Sequence, residues 1–196
     1  MSAARREALL QAFAGYRAAD SRDDEAASRF RRFVQRADPF RRNDPDGHVT
    51  ASAVVARSGN VAGTGPAGLH PPQNFEFLLV FHRKLDRWLQ PGGHVEPDDA
   101  SVFETAVREA REETGVGSFA APLGDTILDL DVHPIPAFGN EPAHVHYDVR
   151  FLLTTEDAGA LAPGAAWFAR ADVAGIDRDG SLSRAVRKVV LRLPPP

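Results

Sequence analysis

The chain has 196 residues, with 43% hydrophobic and 26% charged residues and a net charge of −4, as expected of one globular domain with an appendage. The acidic balance argues against a general nucleic-acid binder, which would carry a basic face, and the absence of cysteine excludes disulfides, thiolate nucleophiles and zinc–thiolate sites. The opening MSAARREALLQAF lacks the unbroken apolar core of a signal peptide, and no segment reaches membrane-span length, so a cytoplasmic location without a membrane partner is expected.

Residues 3–37 carry two helical stripes, Leu9, Leu10, Phe13 and Tyr16, then Phe30, Phe33 and Val34. Ala19, Asp20, Ser21 and Arg22 offer a break and a fresh cap between them. Residues 1–40 are read as a helical extension whose role is packing, with a substrate lid or a homodimer arm as the other readings. Residues 38–47, rich in Pro, Asp and Asn, form a linker with turns. Residues 48–56 predict a first strand, and 58–74, heavy in Gly and Pro, a long loop. The run FEFLLVFH at 75–82 predicts a buried strand. It leads into Arg83, Lys84 and Arg87, basic residues upstream of a glycine loop that are candidates for phosphate contacts, or else plain solvated surface. Trp88 either stacks on a base or fills the core, the second being the commoner use.

The centre of the chain is PGGHVEPDDASVFETAVREAREETGV, residues 91–116. Ser101 and Glu104 make a capping box, and Gly115 supplies a left-handed terminus. Between these caps Val102, Phe103, Ala106, Val107 and Ala110 form one apolar stripe. Beside it, Glu109, Glu112 and Glu113 fall within an arc of roughly 100°. Carboxylates three and four apart repel by a few tenths of a kcal/mol per pair. Their convergence makes sense if a divalent cation neutralises them, and oxygen-only ligation points to Mg²⁺ or Mn²⁺ rather than zinc. The alternative is a solvated acidic helix face. His94, directly after the glycines, is placed to reach a metal, a phosphate or a backbone carbonyl.

The run Arg108–Glu109–Ala110–Arg111–Glu112–Glu113–Thr114–Gly115–Val116 matches REUxEExGU, U being aliphatic, with Gly92 and Gly93 in the expected loop. This resembles the signature of the Nudix hydrolase family. The resemblance implies a loop–helix–loop that holds Mg²⁺ against the pyrophosphate of a nucleoside diphosphate linked to another group. It makes Glu109, Glu112 and Glu113 metal ligands, with the Gly92 carbonyl a further candidate. One of the glutamates would help activate water, and Arg108 would steer a carboxylate. One feature departs from the pattern. The family places a glutamate six residues after the glycine and eight before the arginine. Here Asp99 stands six after Gly93, while Ala100 stands eight before Arg108, so the loop is one residue longer. Neither Asp98 nor Asp99 is assigned to the metal.

Downstream, residues 126–132 predict a strand, and 133–136 (HPIP) are expected to bend away because proline cannot stay in a central ladder. Residues 139–142 read as a turn and 144–154, HVHYDVRFLLT, as the next strand. On it His144, His146, Asp148 and Arg150 share one face, which either lines a polar pocket or is the solvated side of an antiparallel strand, the commoner outcome. The His-x-His-x-Asp spacing also suits metal ligation. Glu141 and Asp148 are candidates for an acid contributed from outside the motif, as Nudix enzymes often have. Residues 165–169 predict a short strand and 182–193 a closing helix halted by Pro194–Pro196.

This order fits the α/β/α sandwich with a mixed sheet that the resemblance implies, over residues 41–196. The expected activity is Mg²⁺-dependent hydrolysis of a phosphoanhydride in a small nucleotide-type substrate. Two rivals are a nucleotide-sensing module that has lost catalysis, and a diphosphate isomerase, whose chemistry uses a cysteine that this chain lacks.

Overall fold

The computed structural model describes residues 2–36, 38–59, 75–157 and 159–193. Most of the loop expected at 58–74, and the three terminal prolines, lie outside the described residues. Two helices come first, α1 (Ser2–Gly15) and α2 (Ser21–Val34). Asp20 caps α2 by accepting from the Asp23 amide at 2.9 Å. The strands β1 (His48–Ser58), β2 (Phe75–His82), β3 (Arg87–Leu89) and β4 (Gly92–His94) precede helix α3 (Val102–Thr114). Then come β5 (Asp129–Ile135), β6 (His144–Thr154), β7 (Ala165–Ala169), α4 (Arg170–Ile176) and α5 (Ser181–Arg192).

The strands make one mixed sheet in the order β3-β2-β1-β6-β5, with β4 on β1 and β7 on β2. Only β1 and β6 run parallel; the other pairs are antiparallel. Side-chain alternation along β1 divides the core between the two faces of the sheet. Val49, Ala51, Ala53 and Val55 pack with α1, α2 and α3, while Val54 and Ala56 pack with α4 and α5. Helices therefore cover both faces, giving the α/β/α sandwich expected from the sequence. The N-terminal helices share the first core: Phe33 of α2 stacks on Tyr147 of β6, ring centroids 3.9 Å apart. Trp88 packs edge-on against Phe81 and Phe168 at the margin of the second core. Among the described residues no helix is long and apolar enough to cross a membrane.

The structure corrects three expectations. β5 does not bend away at its prolines; it runs to Ile135 and pairs with β6 throughout. It is the last strand of the sheet, so the amide that Pro134 lacks would have faced outward. Helix α4 and the short strands β3 and β4 were not expected, being too brief to show a period. Finally, the polar face of β6 is not solvated where it carries Asp148 and Arg150, which are 4% and 2% exposed.

That face holds a buried ion network. Lys188 of α5 bonds Asp23 of α2 and Asp129 of β5, both at 2.6 Å, and Tyr16 also bonds Asp23. Arg184 donates twice to Asp129 at 2.9 Å, and Arg150 bonds Asp129 at 3.2 Å and Asp148 at 3.1 Å. The network joins α2, α5, β5 and β6 through paired groups that would be costly to bury singly. Replacing Asp129 by Ala strands Lys188, Arg184 and part of Arg150, and should cost about 3–5 kcal/mol of stability. Urea unfolding checks this: a loss below about 1 kcal/mol would mean that Lys188 and Arg184 find other partners or water and are not stranded.

Candidate active site

Helix α3 sits where its caps and stripe direct it. Ser101 accepts from the Glu104 amide at 3.1 Å, and Glu104 reaches back to the Ala100 amide at 3.0 Å. Gly115 ends the helix at φ 75°. Val102, Ala106 and Ala110 are buried against the sheet, and Phe103 meets Phe151 edge-on. Docking that stripe turns Glu109 and Glu113 toward β4, which lies antiparallel to β1 with Gly92 opposite Ser52.

Both glycines of β4 permit close approach. A Cβ on Gly92 would stand 2.3 Å from the Ser52 side chain and 2.8 Å from the Ala51 carbonyl, so β4 could not lie against β1. A Cβ on Gly93 would stand 2.4 Å from a carboxylate oxygen of Glu109. Through this gap the Gly92 amide donates to Glu113 at 3.0 Å. Two of the three predicted acids thus rest against the glycine strand, and the third, Glu112, has a side chain 59% exposed.

Arg108 ties these parts together. Its guanidinium donates to Asp99 at 2.9 and 3.0 Å, to Glu109 at 3.0 Å, to Glu112 at 3.2 Å and to the His94 carbonyl at 2.9 Å. Asp99, the acid at the lengthened part of the loop, also accepts from Thr105 and the Glu96 amide. It therefore anchors the arginine, which accounts for an acid at that place. Burial pushes its carboxyl up, but Arg108, the Glu96 amide and Thr105 together hold it below the ordinary range. Glu109 and Glu113 shift the other way. Burial raises both carboxyls, more than Arg108 lowers the first or the Gly92 amide lowers the second, and neighbouring glutamates raise them further. Uncompensated negative charge accumulates here, and the donors are all oxygen, which suits a hard divalent cation.

The remaining sequence candidates divide. His94 and Glu141 line a cavity of about 440 Å³ next to β4. Glu141 lies 4.0 Å from Lys84, which also lines that cavity and sits over the Phe138 ring. Arg83 is exposed. Arg87 is engaged by Asp179 at 3.1 Å. Asp148 faces the interior, its carboxylate shared by Ser52 (2.7 Å), Thr50 (3.1 Å), Arg150 and Gln90. These four donors engage it in the interior, and it is not among the residues that line the cavity. Sequence reading missed His48, which joins His94 and His146 in the cavity wall. Burial first, and neighbouring positive groups second, lower these three imidazoles to about 4, 3 and 2 for His48, His94 and His146. The signal that would have found them is the sheet register, Thr50 opposite His94 and His48 opposite His146, which a single sequence does not display.

A family model described as the NUDIX domain matches residues 66–187, more than half of the chain. No curated protein matches by sequence. Among solved structures, an Ap4A hydrolase from C. elegans is similar at 20% identity and a TM-score of 0.49, over 74% of this chain and 98% of that one. The NUDIX domain of Shewanella oneidensis NrtR, solved with ADP ribose, is similar at 19% identity and a TM-score of 0.45, over 74% and 88%. A Nudix hydrolase from M. smegmatis, RenU, gives 16% and 0.47, over 76% and 89%.

Two outcomes test the geometry. Gly93→Ala meets only the movable end of Glu109, so the chain should fold normally while that carboxylate is displaced. Gly92→Ala meets β1 itself and should lower the melting temperature by several degrees, since about 1–3 kcal/mol of overpacking strain is expected. Equal melting points for the two variants would contradict the close-packing account. The second outcome concerns pH. A carboxyl whose folded pKa is raised opposes folding above that pKa, and the opposition fades as pH falls through it. In chelator at neutral pH, Glu113→Gln should therefore be at least as stable as the parent chain, with the difference vanishing in mild acid. Thermal melts across pH check this, and a variant clearly less stable at neutral pH would contradict it.

Proposed function

The chain belongs to the Nudix family and is a hydrolase acting on pyrophosphate bonds, and from that premise we propose that it cleaves a nucleoside diphosphate linked to another group, using Mg²⁺ or Mn²⁺ held by Glu109, Glu112 and Glu113 with the Gly92 carbonyl. One observation carries this reading: Glu109 and Glu113 of α3 are held against a strand whose glycines admit them, although burial and neighbouring glutamates oppose their charge, and Arg108 ties Glu109 to the more exposed Glu112. When bound, the ion supplies charge neutralisation at phosphate oxygens and makes water a better acid.

The chain's own groups divide the remaining work. All three glutamates serve as holders, and Glu109 and Glu113 are the fixed ones, the first by Arg108 and the second by the Gly92 amide, which leaves the second task of proton acceptor to Glu112. Glu112 is the most exposed of the three and accepts one bond from Arg108, so it is free to take a proton from water onto a carboxylate oxygen. Arg108 acts as a positioning residue, keeping Glu109 and Glu112 in one orientation by charge-assisted bonds. Substrate enters by the adjoining cavity, whose volume suits a nucleotide fragment. Lys84 and Arg42 are its cations, and His94 and Glu141 are among its other polar lining residues. Arg83 could join them only from the exposed turn beside it.

The test is a panel of nucleoside diphosphate derivatives incubated with Mg²⁺ or Mn²⁺, with products resolved by phosphate content. Glu112→Gln should lower turnover by ~100-fold or more with the melting temperature unchanged, the scale of a lost proton acceptor. Glu109→Gln should raise the metal concentration needed for half-maximal rate. Near-parent rates in both variants would overturn the assignment. Nucleotide binding without turnover by the parent chain would instead favour a sensing module.

A further inference from the structure

Apart from the glutamates, the described structure gathers a second set of metal-capable groups. Five of the chain's seven histidines line the cavity, and His48, His94 and His146 each place a ring nitrogen within 4.8 Å of the other two. They stand on three neighbouring strands, β1, β4 and β6, so the sheet fixes their backbones. His48 is 1% exposed, yet neither of its ring nitrogens has a hydrogen-bond partner among the described residues. A buried imidazole normally satisfies its polar atoms, because leaving them unmade forfeits their hydration with no return. An unpartnered ring aimed at two other rings calls for a ligand between them.

We propose that His48, His94 and His146 form a second metal site, for a divalent transition ion of the Zn²⁺ type, separate from the glutamate site. Three imidazoles with no carboxylate among them suit such a borderline ion and disfavour Mg²⁺, which takes oxygen. Nitrogens about 2.0–2.1 Å from a tetrahedral ion stand about 3.4 Å apart. The observed spacing, within 4.8 Å, therefore closes by about 1.4 Å at most, a distance that side-chain torsions cover. An outer contact orients one ring: His144 lies 2.9 Å from the Pro142 carbonyl through Nδ1 and 3.1 Å from His146 Nε2 through its own Nε2. Three protein ligands would leave a fourth position for water or an oxygen ligand, which the cavity that the three rings line could supply. The two sites meet at β4, where Gly92 bonds Glu113 and the His94 carbonyl accepts from Arg108, while the His94 ring lines the cavity.

Binding of Co²⁺ to the chelator-stripped chain in excess Mg²⁺ tests this, read by visible d–d absorption and by calorimetric stoichiometry. One Co²⁺ per chain with tetrahedral bands, displaced by Zn²⁺, is the expected result. Glu109→Gln should retain it, and His48→Gln and His146→Gln should each weaken it by ~100-fold, the upper end of losses seen when even outer contacts are removed. Melting curves in chelator guard against misfolding, and a Zn²⁺-dependent rise in the parent chain's melting temperature gives a readout that needs no variant. Absent bands and no rise in melting temperature would overturn the proposal. So would unchanged affinity in both histidine variants, or loss in Glu109→Gln, which would put the ion at the carboxylates and leave the hydrolase reading intact.

Discussion

The bond between Arg108 and Asp99 is the constraint on which the site depends. A helix bearing Glu109, Glu112 and Glu113 on one flank resists bringing them together, since each pair of like charges three or four apart opposes the helix. Arg108 offsets two of them directly and is itself held by Asp99, which is only 7% exposed and braced by Thr105 and the Glu96 amide. Burial costs this guanidinium less than its carboxylate partners return, Asp99 first, so it stays charged far above any physiological pH. Because the same guanidinium also binds the His94 carbonyl, the loop, the helix and the glycine strand share one electrostatic tie.

Beneath the site lies a second charge system with a different purpose. Lys188, Arg184 and Arg150 meet Asp23, Asp129, Asp131 and Asp148 inside the protein, linking the N-terminal helices to α5 and to the far edge of the sheet. Its last member, Asp148, accepts from Ser52 and Gln90, the residues flanking the approach to Gly92. The packing of α2 and the position of the glycine strand are thus joined by an unbroken chain of polar contacts. Paired charges of this kind add little net stability, but an arrangement of the helices that separated them would leave buried charges without partners.

Legibility from sequence followed the strength of local pattern. FEFLLVFH at 75–82, the alternation at 144–154 and the capped helix after Ser101 are long or well punctuated, and their bounds agree with the structure to within a residue or so. β5 was cut short because Pro134 argues against a strand until the strand is known to lie at an edge. Asp129, Arg150, Arg184 and Lys188 look like surface residues one at a time, and only their mutual pairing allows burial. The glutamates were legible because one helix carries them all. His94 and His146 stand out singly in the sequence, but their grouping with His48 does not, because the three lie 46 and 52 residues apart along the chain, from His48 to His94 and from His94 to His146, and only the sheet register brings them together.

The glutamates of α3 are held in place, on this account, to grip a hard divalent ion against a phosphoanhydride. The most direct measurement is an electron paramagnetic resonance titration of Mn²⁺ with the chain and a non-hydrolysable nucleoside diphosphate analogue. The account predicts loss of the free-ion signal in stoichiometric amounts, abolished when Glu109 and Glu113 are both replaced by glutamine and unaffected by His48→Gln. A free-ion signal that persists undiminished with the parent chain and the analogue together would contradict it.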